Sequence, residues 1–268
     1  MNIMKIYMRS IWKLNLVYKW YFIISLFVDF FNIFSMLFIW YIVYRYNQNT
    51  SIKGFNFNSI LLYTIFSTIN SKFYDSEAEY TIADEIDSGQ IINNFIRPIS
   101  YFKRLIAESL GDFSFELLFY IFPILIIFIS YTFYYNLNFN ITYISILFYI
   151  ITLIFSIIIN FLLSFLTGLM AFYVNYIWGF MTFKSTLLTL ITGQLFPLIF
   201  LPKILVDILK FTPFYYMNFA PISILLNQIK NNEIYKIILI QFCWCILLSL
   251  IVYFVWSSAK KYLSINGG

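Results

Sequence analysis

The chain has 268 residues, of which 62% are hydrophobic and only 11% charged, with a mean hydropathy of +0.82. Its apolar runs leave no room for a separate soluble domain of the usual ~100 residues or more, so the composition describes one integral membrane domain. The net charge of +5 sits at the ends of apolar runs rather than in one basic patch, which excludes a nucleic-acid partner. With no His, and with both cysteines, Cys243 and Cys245, inside the last apolar run, most metal and Cys/His chemistry is excluded too. The cysteine pair reads as two small hydrophobes in packing. The 33 Phe and 23 Tyr could line a substrate path or reflect a general bias that also favours Ile and Asn.

Residues 1–20 carry Lys5, Arg9, Lys13 and Lys19 among apolar residues at helical spacing. This pattern predicts a basic amphipathic helix on the inner membrane surface, retained because the following apolar run is long and lacks a small-residue cleavage site. A first span is predicted over 21–44. It holds Asp29, a possible intramembrane polar site: a charge at such depth costs about 2.5–3.5 kcal/mol and calls for a partner helix or a wet cavity, unless the carboxylate bonds hydroxyls or amides near the interface. A second span, 55–73, bears Thr64, Ser67, Thr68, Asn70 and Ser71, which suit a helix packed against protein better than one in lipid.

The longest polar interval follows. From Thr81 to Arg97 the sequence is compatible with a helix parallel to the membrane, with Ile82, Ile86, Asn93 and Ile96 on one stripe and Asp84, Glu85 and Asp87 in its first half, where acids complement the helix dipole. Gly89 would lie inside this helix at a cost of about 1 kcal/mol relative to Ala, marking a close approach or a bend. Pro98 ends it, and a new helix can begin near Ser100.

A third span is predicted over 112–131. Asp112 and Glu116 share one face at its start, more plausibly a solvated or Lys-paired face than an acid/base pair, since like charges at this spacing repel. The uncharged run 142–172 makes a fourth span longer than the ~30 Å bilayer core, so it must tilt, bend or protrude. A fifth span is predicted over 184–201. Gly193, Pro197, Pro202, Pro213 and Pro221 break the sequence here, and such breaks need shelter by protein, as in re-entrant helices over about 202–222. The sixth span covers 235–256. Six spans place both termini on one side, and most of the Lys and Arg then fall in the segments sharing that side, which makes the termini and the acidic interval cytoplasmic.

The run Ile86-x-Ser88-Gly89-x-Ile91, then Arg97-Pro98-Ile99, resembles the signature of ABC-2 type permeases, in particular the bacterial six-span branch of ABC exporter subunits. Gly193, Pro197 and Pro202, followed by Thr212-Pro213-Phe214 and Pro221, resemble that family's C-terminal run, and Asn266-Gly267-Gly268 its usual Gly-Gly end. The pattern differs at Thr212, where leucine is common, and at Asn227, where glycine often stands. The resemblance implies an all-α membrane protein with six transmembrane helices, an N-terminal interfacial helix, a cytoplasmic coupling helix between spans 2 and 3, and re-entrant outer helices between spans 5 and 6. It implies ATPase-coupling positions at Asp84, Glu85, Asp87, Gly89, Arg97 and Pro98, and gating positions at Gly193, Pro197, Pro202, Pro213 and Pro221. A cytosolic ABC ATPase dimer and a second permease, the same chain or a sister, would be partners. The chain has no G-x4-G-K-[ST] phosphate loop, so ATP and Mg would be bound by the ATPase subunits and no cofactor by this chain.

Few charges within the spans favour an amphipathic cargo such as a peptide, drug-like metabolite or lipid. Two other classes stand beside this reading: a membrane-embedded lipid-modifying enzyme, which would need a compact set of His, Asp, Glu or Cys at one interface, and a passive immunity protein that binds a toxin or lipid without ATP.

Overall fold

The computed structural model describes residues 3–46, 51–74, 77–96, 99–134, 141–174 and 176–266, almost all of them helical. Helix α1 (Ile3–Val17) is the expected amphipathic helix. It crosses α6 (Tyr101–Glu116) at Gly111, where a Cβ would stand 3.0 Å from the Ile11 Cβ. Trp12 Nε1 donates to Ser114 Oγ at 2.8 Å and Asn15 Nδ2 to Asp112 Oδ1 at 3.1 Å. Lys5, Arg9 and Lys13 lie exposed away from that contact.

Helix α2 (Lys19–Tyr46) buries no residue, and Phe27, Phe30 and Phe31 are each about 70% exposed. Such a surface is stable only against lipid or another protein. A two-residue hairpin follows, β1 (Ser51–Ile52) paired with β2 (Phe55–Asn56). Lys53 and Gly54, at φ 46° and 87°, form its turn, since two successive left-handed residues match the twist of the strands. The second predicted span therefore starts as a strand, and the helix α3 (Phe57–Tyr74) begins two residues later. Thr64, Ser67 and Asn70 are buried against protein, as their polarity led us to expect.

Next come α4 (Ala78–Asp87) and α5 (Ile91–Ile96), then α6. The third predicted span is the later part of a longer continuous helix, because α6 runs through a π-helical turn at Leu117–Ile121 into α7 (Phe122–Tyr134). Pro123 accounts for that turn: it has no N–H, and its ring would collide with the carbonyl four residues back in a regular helix, which the wider turn relieves.

Helix α8 (Tyr143–Leu169) starts with a capping box between Thr142 and Ser145 and ends in a 3-10 turn at Met170–Phe172, matching the fourth predicted span.

The fifth predicted span, 184–201, is not one helix. Helix α9 (Trp178–Ile191) stops at Ile191 because Gly193 takes a left-handed φ of 81°. Its 14 residues make about 21 Å, short of a ~30 Å core. Beyond it the prolines start helices rather than merely ending them. Pro197 precedes the 3-10 turn Leu198–Phe200, Pro202 precedes α10 (Lys203–Leu209), Pro213 precedes α11 (Phe214–Met217), and Pro221 stands in the first turn of α12 (Phe219–Leu225). In each place the missing N–H would have had no helical partner. Asn227, the departure noted above, has φ 54°, the conformation that glycine adopts most easily and asparagine next. Helix α13 (Asn231–Asn266) extends the sixth predicted span at both ends.

Among the described residues, four helical stretches are long and apolar enough to cross a membrane: Lys19–Tyr46, Tyr101–Tyr134, Tyr143–Phe172 and Asn231–Lys260. The largest core cluster joins α4, α6, α8 and α13 through Ile82, Leu105, Ile159, Phe165 and Leu248. A second, at the other end of α3, joins the hairpin to the broken segment through Phe55, Tyr63, Leu198 and Phe219.

Candidate functional site

The polar interval that sequence reasoning singled out folds as two short helices, not one over 81–97. Ser88 N–H donates to the Asp84 carbonyl at 2.9 Å and Gly89 N–H to the Ile86 carbonyl at 3.1 Å, closing α4. Gly89 then takes φ 71°, so it terminates a helix instead of sitting inside one. Among the described residues a Cβ there would meet nothing within 4 Å, so no close approach among them accounts for this glycine. Arg97 and Pro98 lie outside the described residues.

Helix α4 is fastened on one side and open on the other. Its buried side, Ala78, Glu79, Ile82 and Ala83, rests on the end of α8. A Cβ on Gly168 would stand 2.8 Å from the Ile82 Cβ and 3.1 Å from the Glu79 Cα, so only glycine lets the two helices come this close. Glu79, 4% exposed, forms an ion pair with Lys184 of α9. Glu85 accepts a hydrogen bond from Tyr101 at 2.8 Å and pairs with Arg104 at 2.6 Å, both on α6. Arg104 also reaches Glu108, at 3.7 Å, and the Tyr101 ring stacks on Trp256 of α13 with centroids 5.2 Å apart. Glu85 is thus an inward strut, whereas Asp84, Asp87, Ser88, Gly89 and Gln90 are exposed.

Local sequence gave no sign of this arrangement. Glu79 and Lys184 are 105 residues apart, and Arg104 follows Glu85 by 19. The one legible signal was Gly168, a lone glycine near the end of an apolar helix.

Of the five candidate gating residues, the structure ties Gly193 to a buried hydrogen-bond network that joins α3, α8 and Asn218. The Gly193 carbonyl accepts from the Tyr63 hydroxyl at 2.5 Å and from Asn218 Nδ2 at 3.2 Å. Asn218 also donates to Ser67 at 3.0 Å and accepts from Asn70 at 3.1 Å, while Tyr149 donates to Asn70 at 2.7 Å. Ser67 donates to the Gln194 carbonyl at 2.7 Å. These bonds satisfy the backbone groups that the helix break leaves open, the condition for irregular backbone at membrane depth. Lys53 of the hairpin donates to the Ile199 carbonyl at 2.9 Å, over the same segment.

Helix α8 connects the two regions. Ser156 donates to the Tyr216 carbonyl at 3.1 Å, and Gln241 of α13 donates to the same carbonyl at 2.8 Å. Twelve residues further along α8, about 18 Å, stands Gly168 beneath α4.

Asp29 pairs with Lys72 of α3 at 2.6 Å, and the Lys72 ammonium stands 5.1 Å from the centre of the Tyr120 ring. Among the described residues no group of three His, Cys, Asp or Glu side chains could hold a metal ion.

Comparison with curated proteins and with solved structures finds no match. A family model described as ABC-2 family transporter protein matches residues 30–267, a stretch that begins within α2 and takes in the α4–α5 element, the proline-punctuated segment and the three later membrane-length helices. The chain is a multi-pass membrane protein of the ABC-2 transporter family.

Proposed function

We propose that this chain is the permease subunit of an ATP-binding cassette exporter, with ATP and Mg bound and hydrolysed on separate cytosolic ATPase subunits. The family match over residues 30–267 carries the reading, since membership implies a transport subunit that works with an ATPase partner. In this reading α3 and α9 join the four long helices to give six crossings, and the termini and α4–α5 face the cytoplasm of a bacterial cell. Two permeases, identical or sister chains, form the pathway in the plasma membrane.

The exposed turn Ser88-Gly89-Gln90, flanked by Asp84 and Asp87, is the surface that meets an ATPase groove. Its support is mechanical. Struts from α4 to α6, α8 and α9 make it a short lever held by the membrane helices, so a push from below moves those helices and not a loop. ATP-driven closure of the ATPases would then rock the permease pair between inward and outward states. The cargo is amphipathic, in keeping with spans poor in charge.

The test is purification of the full chain in mild detergent with the nucleotide-binding subunit encoded beside it. Stable association, with ATPase turnover that responds to substitutions at Asp84 and Asp87, is the expected result. An absence of association, with the permease folded and the ATPase active alone, would overturn the reading.

A further inference from the structure

Helix α1 has three faces. At about 100° per residue, Met8, Ile11, Trp12 and Asn15 fall on one side, and they meet α6 at Gly111, Ser114 and Asp112. Ile3, Ile6, Leu14 and Val17 fall roughly opposite, and the described chain leaves them 43–74% exposed. Lys5, Arg9 and Lys13, spaced i, i+4 and i+8, run as a stripe between those two faces.

All three cations are exposed, and none of them forms an ion pair among the described residues. Cations elsewhere are committed within the protein: Lys72, Arg104 and Lys184 pair with Asp29, Glu85 and Glu79, and Lys53 reaches the carbonyls of Ile199, Phe200 and Leu201. No Asp or Glu precedes Asp29, so α1 carries no acid that would neutralise its own stripe.

Two features choose the occupant. Only Tyr18 separates α1 from α2, whose 28 residues bury no side chain, so the start of a lipid-exposed span holds α1 at the bilayer surface. There the uncovered apolar face can enter the acyl boundary while the neighbouring stripe lies among the headgroups. A water-soluble acidic partner would match the stripe and leave the apolar face bare. A zwitterionic lipid would cover the apolar face but bring no net charge to the stripe.

We propose that the Lys5, Arg9 and Lys13 stripe binds the headgroups of anionic phospholipids, which makes α1 a lipid-selective anchor clamped to α6. The selection follows from α1 and its neighbours alone. It holds on whichever side of the membrane the N-terminus lies, and with or without an ATPase.

The full-length chain, stripped of lipid in neutral detergent, is titrated with phosphatidylglycerol or with phosphatidylcholine of the same acyl chains, and native mass spectrometry reads the bound lipid. Phosphatidylglycerol should bind about five-fold more tightly or better, the factor that ~1 kcal/mol represents. Lys5→Gln, Arg9→Gln and Lys13→Gln together should bring the two lipids within about two-fold of each other. Lys203→Gln, Lys230→Gln and Lys236→Gln together remove the same charge from three other exposed positions and should keep the preference. Inorganic phosphate at the same concentration as the lipid should not displace it. Equal affinity for the two lipids would overturn the proposal. So would the preference surviving in the folded α1 variant, its loss in the second variant, or displacement by phosphate. Because no ATPase is present, such a failure is separate from failure of the permease to associate with one.

Discussion

The Ile82 side chain occupies the space that a Cβ on Gly168 would need, at 2.8 Å. Helix α4 thus meets α8 along its backbone rather than through a cushion of side chains, and motion of one is passed to the other with little slack. Gly168→Val should force the two apart. We expect a loss of about 1–3 kcal/mol from overpacking, read as a lower unfolding midpoint in detergent, and a larger loss of ATP-driven transport than of ATPase binding. The same transport in a folded variant would remove α8 from the transmission route.

At Gly89 the requirement is conformational. The φ of 71° is accessible to glycine, tolerated by asparagine and costly for alanine by about 1–2 kcal/mol. Gly89→Asn should therefore keep more coupling than Gly89→Ala, although asparagine is the larger residue. The reverse order, measured as transport per ATP hydrolysed, would show that space rather than φ matters there.

Glu85 and Arg104 are both mostly buried, so removing one partner leaves a charge poorly solvated. Arg104→Ala should cost about 3 kcal/mol or more, and Glu85→Gln less, because glutamine can still accept from Tyr101 and Arg104. A double-mutant cycle by thermal unfolding reads the coupling between them. Independence of the two substitutions would mean that the strut carries no energy.

Asp84 and Asp87 should behave differently. Both are exposed, so replacement of either by Lys should change stability by no more than about 0.5 kcal/mol. Affinity for the ATPase subunit, measured by titration in detergent, should fall about five-fold for each charge reversed, the effect of ~1 kcal/mol. Unaltered affinity would move the docking surface elsewhere.

Asn218 is fully buried and serves Gly193, Ser67 and Asn70 at once. Asn218→Leu should cost about 2–3 kcal/mol by leaving those groups unpaired, whereas Tyr63→Phe, which removes one of two donors to the Gly193 carbonyl, should cost about 1 kcal/mol. Unfolding followed by Trp fluorescence distinguishes them.

The sequence was most legible where periodicity and composition act locally. Helices α1, α2, α8 and α13 could be placed from apolar runs, and the sheltered character of α3 from its Ser, Thr and Asn residues. The proline-punctuated segment was recognised as broken, with Gly193 the first of its breaks, but the fifth span was still drawn through Gly193 to 201, because nothing local distinguishes a left-handed Gly193 from a helical one. The same ambiguity merged α4 and α5. Within the acidic run, spacing could not tell that Glu85 turns inward while Asp84 and Asp87 turn out, since its partners Tyr101 and Arg104 stand on a different helix, α6. The ion pair of Glu79 with Lys184 depends on tertiary structure entirely.

The π-helical turn before Pro123 also acts as a phase change. One extra residue in a helical turn rotates everything beyond it by about 100° relative to a regular helix. The first half of this membrane-length helix therefore turns Asp112, Glu116 and Tyr120 towards the protein, while the second half turns Ile126, Ile127, Ile129 and Phe133 outward, each more than 60% exposed. A single continuous rod thereby offers a polar face to its neighbours and an exposed apolar face further along without needing a loop between them. Restoring the regular pitch by Pro123→Leu would swing one of these faces out of register.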